Sequence, residues 1–213
     1  MVIESIPGDK SISHRAIIIG SLTKGTTIFD GFLLSDDCLC TLNIFRELGV
    51  NISIEGTTVT IEGGGVSALT KPKGPLNVGN SGTGIRLISG VLSGLPFESE
   101  ITGDSSIQQR PMGRIIDPLT QMGASIQGSN HQPPLIIQGQ PNLNDGWAYE
   151  MPVASAQVKS SILLAAITTG VTVSVHEPEP CRDHTERMLQ LFGATVVSNS
   201  GTIQLMDSTL TAP

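Results

Sequence analysis

The chain has 213 residues, 38% of them hydrophobic, enough for the packed core of one large domain or two small ones. A net charge of −7 and only 3% aromatics argue against a nucleic-acid partner, and apolar runs such as 16–19 and 162–167 fall far below the ~20 residues of a membrane-spanning helix. The N-terminus lacks a secretory pattern, and three cysteines (Cys38 and Cys40 too close for an easy bridge, Cys181 left over) make no disulfide framework, so a reducing cytoplasm is expected.

In chain order, apolar periodicity predicts a helix over Ser11 to Leu22 and a strand over Thr26 to Asp30. Within that helix Ile12, Ala16, Ile19 and Leu22 keep helical spacing while Ser11 and Arg15 share another side, which predicts one face that packs and one that binds. A second helix ends at Phe45-Arg46-Glu47-Leu48-Gly49. It is followed by a strand over Val50 to Ile54, a turn at Glu55-Gly56 and a strand over Val59 to Ile61, with Gly63-Gly64-Gly65 as loop.

The same succession returns as a helix over Ser81 to Leu92, a strand over Glu98 to Thr102, and a helix ending at Leu119 to Gly123. Strands at 124–127 and 134–137 and a loop at 138–146 complete it. A third copy has a helix over Ser155 to Ile167, a strand over Val171 to Val175, and a helix ending at Leu189 to Gly193. Its strands at 194–197 and 202–205 flank a Ser-Asn-Ser-Gly turn. The stretch Asp207 to Pro213 loses periodicity and reads as a connection leading out.

Self-similarity at a period of roughly 70 residues marks repeated structural units. In each copy a glycine follows an apolar-periodic stretch, as a C′ residue with positive φ would, and a hairpin follows the glycine. The unit is approximately αβαββ, preceded by a strand in some copies. None of the three can bury its apolar faces alone, so the expectation is an α/β domain with helices inside and sheets outside. Its units span about 1–75, 76–145 and 146–213 within a single domain.

Five segments could carry chemistry. Pro7-Gly8-Asp9-Lys10-Ser11 opens a helix with Arg15 one turn in, so N–H groups, a hydroxyl and two cations converge at a positive helix end. An ordinary N-cap with solvated cations fits the same residues. Gly79-Asn80-Ser81-Gly82-Thr83-Gly84-Ile85-Arg86 is a glycine-rich turn into a helix that lacks the lysine of a P-loop and the Rossmann spacing; it suits a phosphate or carboxylate, or a plain tight turn. In Gln109-Arg110-Pro111, Pro111 suits the first helical position and Arg110 suits a carboxylate. Ser155-Ala156-Gln157-Val158-Lys159-Ser160 sets hydroxyl and amide groups at a helix start, and Cys181-Arg182-Asp183-His184-Thr185-Glu186 opens a short charged helix in which Asp183 reads as a cap. The four histidines show no metal-ligand spacing, and no serine sits in a nucleophile elbow.

Taken in order, these five segments resemble the signatures of the 5-enolpyruvylshikimate-3-phosphate (EPSP) synthase family along almost the whole chain. The Ser155 to Lys159 and Arg182 to Glu186 segments are similar to those of the bacterial branch less sensitive to glyphosate. The resemblance implies an inside-out, barrel-like α/β domain of three βαβαββ repeats, one of the two domains of such an enzyme. It also implies enolpyruvyl transfer from phosphoenolpyruvate to the 5-hydroxyl of shikimate 3-phosphate, with no cofactor or metal.

Carried over by position, Lys10 would bridge both substrates. Ser11, Arg15, Ser155, Ala156, Gln157, Cys181 and Arg182 would hold shikimate 3-phosphate, and Gly82, Arg110 and Gln157 would contact phosphoenolpyruvate. Cys181 stands where many relatives place serine or threonine. The acid and base would come mostly from the other domain. The resemblance therefore implies an N-terminal half that binds substrate, pairs with a C-terminal half and does not turn over alone.

The sibling UDP-N-acetylglucosamine enolpyruvyl transferase has a similar fold. It is disfavoured by Ser11, where that sibling usually has asparagine, and by the lack of a cysteine between Thr83 and Arg110. A non-catalytic module that complements a separate half is the alternative of another class.

Overall fold

Glycines stop the helices where the repeat predicts, at Gly49, Gly123 and Gly193, with φ of 95°, 107° and 89° that a side chain would strain. The computed structural model describes residues 8–213, so Pro7 of the first segment lies outside the described residues. The first unit runs α1 (Lys10–Leu22), β1 (Lys24–Phe29), α2 (Asp36–Glu47), β2 (Asn51–Glu55) and β3 (Thr58–Gly64). The second adds a leading strand: β4 (Leu76–Asn77), α3 (Gly82–Ser93), β5 (Glu98–Thr102), α4 (Ser105–Gln108), α5 (Gly113–Gln121), β6 (Ser125–Gln127) and β7 (Leu135–Gln138). The third repeats that order without a counterpart of α4: β8 (Trp147–Glu150), α6 (Ala156–Thr169), β9 (Val173–His176), α7 (His184–Leu191), β10 (Val196–Asn199) and β11 (Thr202–Leu205).

Each unit builds its own sheet, with strand orders β1-β3-β2, β4-β5-β7-β6 and β8-β9-β11-β10. The hairpins are antiparallel, whereas the leading strands β4 and β8 run parallel to β5 and β9. Alternation puts one row of each sheet inward: Ile52 opposite Ile61, Ile101 opposite Leu135, and Val175 opposite Ile203 are all buried.

The helices form the interior. Residues 158–168 of α6 are buried without a break, the polar Lys159, Ser160, Ser161 and Thr168 included, which leaves no solvent face along that stretch. At its crossing with α3 a Cβ on Gly90 would lie 2.2 Å from the Ser161 carbonyl oxygen, so only glycine permits this approach. The expected two-faced α1 is not found. Ser13 through Leu22 are all buried, while Ile12, assigned to the packing side, is 45% exposed. The helix is central and lies against α2, α3 and α7, so only its first turn is free to bind.

Two predicted loops also differ. Gly63 and Gly64 belong to β3, pairing with Gly25 and Lys24. A Cβ on Gly63 would sit 2.2 Å from the Thr23 carbonyl oxygen, so the run of glycines records a close backbone approach. The final stretch is irregular but packs back: Leu210 is buried, Lys24 N–H donates to Leu210 O at 3.2 Å, and Thr211 bridges Lys24 in parallel. It thus takes, beside β1, the place that β4 and β8 hold beside β5 and β9. No helix among the described residues is long and apolar enough to cross a membrane.

Candidate anion-binding site

The first helix of each unit begins at a side-chain cap. Asp9 accepts the Ile12 N–H of α1 at 2.9 Å, Ser81 Oγ accepts the Gly84 N–H of α3 at 2.9 Å, and Ser155 Oγ accepts the Val158 N–H of α6 at 3.4 Å. The cap and the binding readings of these segments are therefore compatible: each cap satisfies one N–H and leaves others of the first turn for a ligand.

Two adjoining cavities collect these three helix starts. The larger, about 430 Å³, is walled by Lys10, Ser11 and Arg15 of α1, by Thr83 of α3, by Ser155, Ala156 and Gln157 at α6, and by Arg182 and His184. The smaller, about 240 Å³, shares Lys10, Thr83 and Gln157 and adds Asp37, Asn80, Gly82, Arg86 and Arg110. Among the described residues, three positive macrodipole ends thus converge with five cations and a single carboxylate, in a chain whose net charge is −7. That carboxylate, Asp37, pairs with Lys10 at 3.1 Å. A third cavity of about 570 Å³ beside them shares Arg86 and Ser155, but its walls are mainly apolar, with Pro118, Met151, Val153 and Val158.

Arg15 is 3% exposed and already heavily engaged. Its Nε donates to Thr185 Oγ1 at 2.6 Å, Nη1 to Ser11 O at 2.9 Å and Nη2 to Ser160 Oγ at 2.8 Å. A guanidinium has five N–H groups, so two remain for the cavity. Burial draws its pKa down, and the Glu186 carboxylate opposes that loss. Arg182 Nη1 donates to Ser11 Oγ at 3.3 Å, tying the third unit to the first.

Around the smaller cavity Arg86 Nη1 donates to Gly82 O at 3.1 Å and to Gln157 Oε1 at 2.9 Å, while Gln157 Nε2 donates to Thr83 Oγ1 at 3.0 Å. Arg110 Nη2 donates to Asn80 Oδ1 at 2.5 Å, and Asn80 Nδ2 donates to Asp104 Oδ2 at 2.8 Å. Burial lowers the Arg86 pKa, and repulsion from Arg110 and Arg114 lowers it further. These groups remain charged, and their mutual repulsion is what a bound phosphate or carboxylate would relieve. A Cβ on Gly82 would lie 2.7 Å from Arg110 Nη1, so the missing side chain leaves the space in which Arg110 lies.

Lys10, Ser11, Arg15, Gly82, Arg110, Ser155, Ala156, Gln157 and Arg182 therefore all line the two cavities. Cys181 does not. Its thiol donates to Glu177 Oε2 at 2.8 Å, and burial together with that carboxylate pushes its pKa up to about 11, so it is neither a wall group nor a thiolate.

Pro111 is not the first residue of a helix, because α5 begins at Gly113; Asp104 instead caps the short α4, and Arg110 N–H closes the turn after it onto Ile107 O. Of the other wall residues, Asn80, Thr83, Arg86 and His184 lie within the five candidate segments without an assigned role, and Asp37 lies outside all five. A signal existed for Arg86, which stands four residues after Gly82 as Arg15 stands four after Ser11. Among the described residues no group of three or more His, Cys, Asp or Glu side chains could hold a metal ion.

The chain is similar to known proteins over nearly its whole length. The family described as EPSP synthase (3-phosphoshikimate 1-carboxyvinyltransferase) matches residues 2–206. The 3-phosphoshikimate 1-carboxyvinyltransferase of Shouchella clausii (strain KSM-K16) is 52% identical over 202 residues, covering 94% of this chain and 46% of that protein. The protein of the same name from Ruthia magnifica subsp. Calyptogena magnifica is 51% identical over 204 residues, covering 96% and 47%. A solved structure of EPSP synthase from Acinetobacter baumannii matches with a TM-score of 0.92 at 47% identity, over 98% of this chain and 47% of that one. The chain spans about half the length of the relatives it matches. It belongs to the EPSP synthase family.

Proposed function

We propose that this chain forms one domain of a 3-phosphoshikimate 1-carboxyvinyltransferase, with units of about 1–75, 76–145 and 146–213, and supplies one wall of its active-site cleft. In that reaction, overall, a bond from the 5-hydroxyl oxygen of shikimate 3-phosphate to C2 of phosphoenolpyruvate replaces the C2–O bond to phosphate, and inorganic phosphate leaves with the hydroxyl proton. Both substrates are phosphorylated acids that repel each other, and cations fixed by the protein offset that repulsion.

The observation that carries the reading is the convergence of three helix starts and five cations on two adjoining cavities bridged by Lys10, Thr83 and Gln157. Shikimate 3-phosphate would occupy the larger one, on Ser11, Arg15, Ser155, Ala156, Gln157 and Arg182. Phosphoenolpyruvate would occupy the smaller one, on Gly82, Arg110 and Gln157, with Lys10 between the two. Cys181 supports the first group through Glu177 and makes no contact of its own. Asp37, the only carboxylate on these walls among the described residues, pairs with Lys10, and the acid and base would come from the C-terminal half of the enzyme. Three unpaired cysteines suit a reducing cytoplasm.

Calorimetric titration of the folded chain with shikimate 3-phosphate is expected to give saturable heat at millimolar ligand or below; no heat would overturn the assignment. Phosphate release by the purified chain alone, given both substrates, would overturn its status as a half-site.

A further inference from the structure

Beneath the cavity wall lies a buried cluster of charge. Lys159, one turn into α6, is 1% exposed, and its Nζ lies 2.8 Å from Glu177 Oε2 and 2.5 Å from Glu186 Oε1. Both carboxylates are buried as well. Burial disfavours the charged lysine, yet the hydrogen bonds to the two carboxylates outweigh it and leave its pKa raised. The Glu177 carboxyl is held low despite its burial, by hydrogen bonds from Cys181 and Lys159. Glu186 Oε2 has no hydrogen-bond partner among the described residues, and the same carboxylate stabilises the buried Arg15 cation.

Such a cluster is a poor source of stability, because desolvating three charges costs as much as their attraction returns. Its placement suggests another use. Glu177 directly follows β9 and Glu186 lies in the first turn of α7, so the two carboxylates bracket the segment that carries Cys181, Arg182, His184 and Thr185. Lys159 stands three residues after Ala156 on the helix whose first turn lines the cavity. Thr185, next to Glu186, bonds Arg15 Nε at 2.6 Å and Ser160 Oγ at 2.6 Å, and Ser160 is next to Lys159.

We propose that Lys159 is a positioning residue of the shikimate 3-phosphate site. By pairing with Glu177 and Glu186 it fixes both ends of segment 177–186 on α6, and so holds Arg182 and Thr185 against Ser11 and Arg15. This rests on the reading of the larger cavity as the shikimate 3-phosphate site.

Electrostatics gives the test a sign. The cluster carries a net charge of −1, so its removal alone makes the site more positive and tightens anion binding. Weaker binding after removal runs against that sign, and faster exchange across 178–185 identifies lost geometry as its cause. The two variants are Lys159→Met, which strands two buried carboxylates, and the charge-free Lys159→Met/Glu177→Gln/Glu186→Leu.

Lys159→Met is expected to lower the urea midpoint and the triple variant to restore it. In both, amide hydrogen exchange across 178–185 should quicken at least tenfold without ligand, and the calorimetric Kd for shikimate 3-phosphate should rise at least tenfold. A purely structural cluster would regain binding along with stability. Parental exchange in the triple variant, or a Kd within twofold of the parent or tighter, overturns the proposal.

Should the triple variant not fold, Glu177→Leu decides. It leaves a neutral Lys159–Glu186 pair and removes the acceptor at one end: faster exchange near Cys181 supports the proposal and parental exchange overturns it. A parent chain that binds no shikimate 3-phosphate would sink the reading of the cavity, while the exchange measurement would still decide the role of Lys159.

Discussion

Acidification loads one side chain at the centre of the molecule. His14 on α1 is wholly buried, with Nδ1 2.8 Å from Thr41 Oγ1 on α2 and Nε2 3.3 Å from Ser81 Oγ, the cap of α3. The network is satisfied when Ser81 donates to Nε2 and Nδ1–H donates to Thr41, which is the neutral imidazole. Burial, helped by Lys10 and Arg15 and opposed by Asp37, takes its pKa from 6.5 to about 4.

Because the unfolded chain takes up this proton near pH 6.5 and the folded chain only near pH 4, the unfolded state binds more protons in between. Stability therefore falls as pH drops through that window. At ~1.4 kcal/mol per pKa unit the whole gap is worth about 3 kcal/mol.

Urea unfolding of the parent and His14→Gln from pH 7.5 to 4 would isolate this contribution, since carboxylates common to both cancel in the difference. The parent should lose about 1.4 kcal/mol per pH unit more than the variant between pH 6 and 4.5, whatever the variant loses at neutral pH. Equal slopes would refute the reasoning.

Other substitutions test packing and the site separately. Alanine outranks glycine in a helix by about 1 kcal/mol, yet Gly90→Ala should destabilise by about 3 kcal/mol or more in urea unfolding, because its Cβ would meet the Ser161 carbonyl oxygen at 2.2 Å. Gly82→Ala places a Cβ 2.7 Å from Arg110 Nη1 and 3.2 Å from Arg86 Nη1, so the guanidinium retreats. The expected result is about tenfold weaker binding of phosphoenolpyruvate to the chain preloaded with shikimate 3-phosphate, about 1.4 kcal/mol, in a calorimetric titration. Lys10 is 52% exposed on its side chain, and a surface pair such as that with Asp37 contributes no more than about 1 kcal/mol. Lys10→Met should therefore leave the thermal midpoint nearly unchanged and abolish the heat of shikimate 3-phosphate binding.

What was legible in the sequence is what short stretches of chain decide for themselves. Gly49, Gly123 and Gly193 end helices because only glycine takes their positive φ freely, and Asp9, Ser81 and Ser155 begin helices because a short polar side chain can reach an N–H two or three residues on. From those stops and starts the three units follow, and with them the three helix ends that meet at the site.

Tertiary structure decided everything that depends on a partner far along the chain. Ile12 keeps the spacing of a core residue and is exposed, because the space round α1 is filled by other helices only from Ser13 onward. Arg15 reads as a free cation, but Thr185 and Ser160, 170 and 145 residues away, take up two of its donors. Lys159 sits in a run of hydroxyl and amide residues that gives no hint of Glu177 and Glu186, because a buried charge is set by what surrounds it in space and local periodicity carries no record of that.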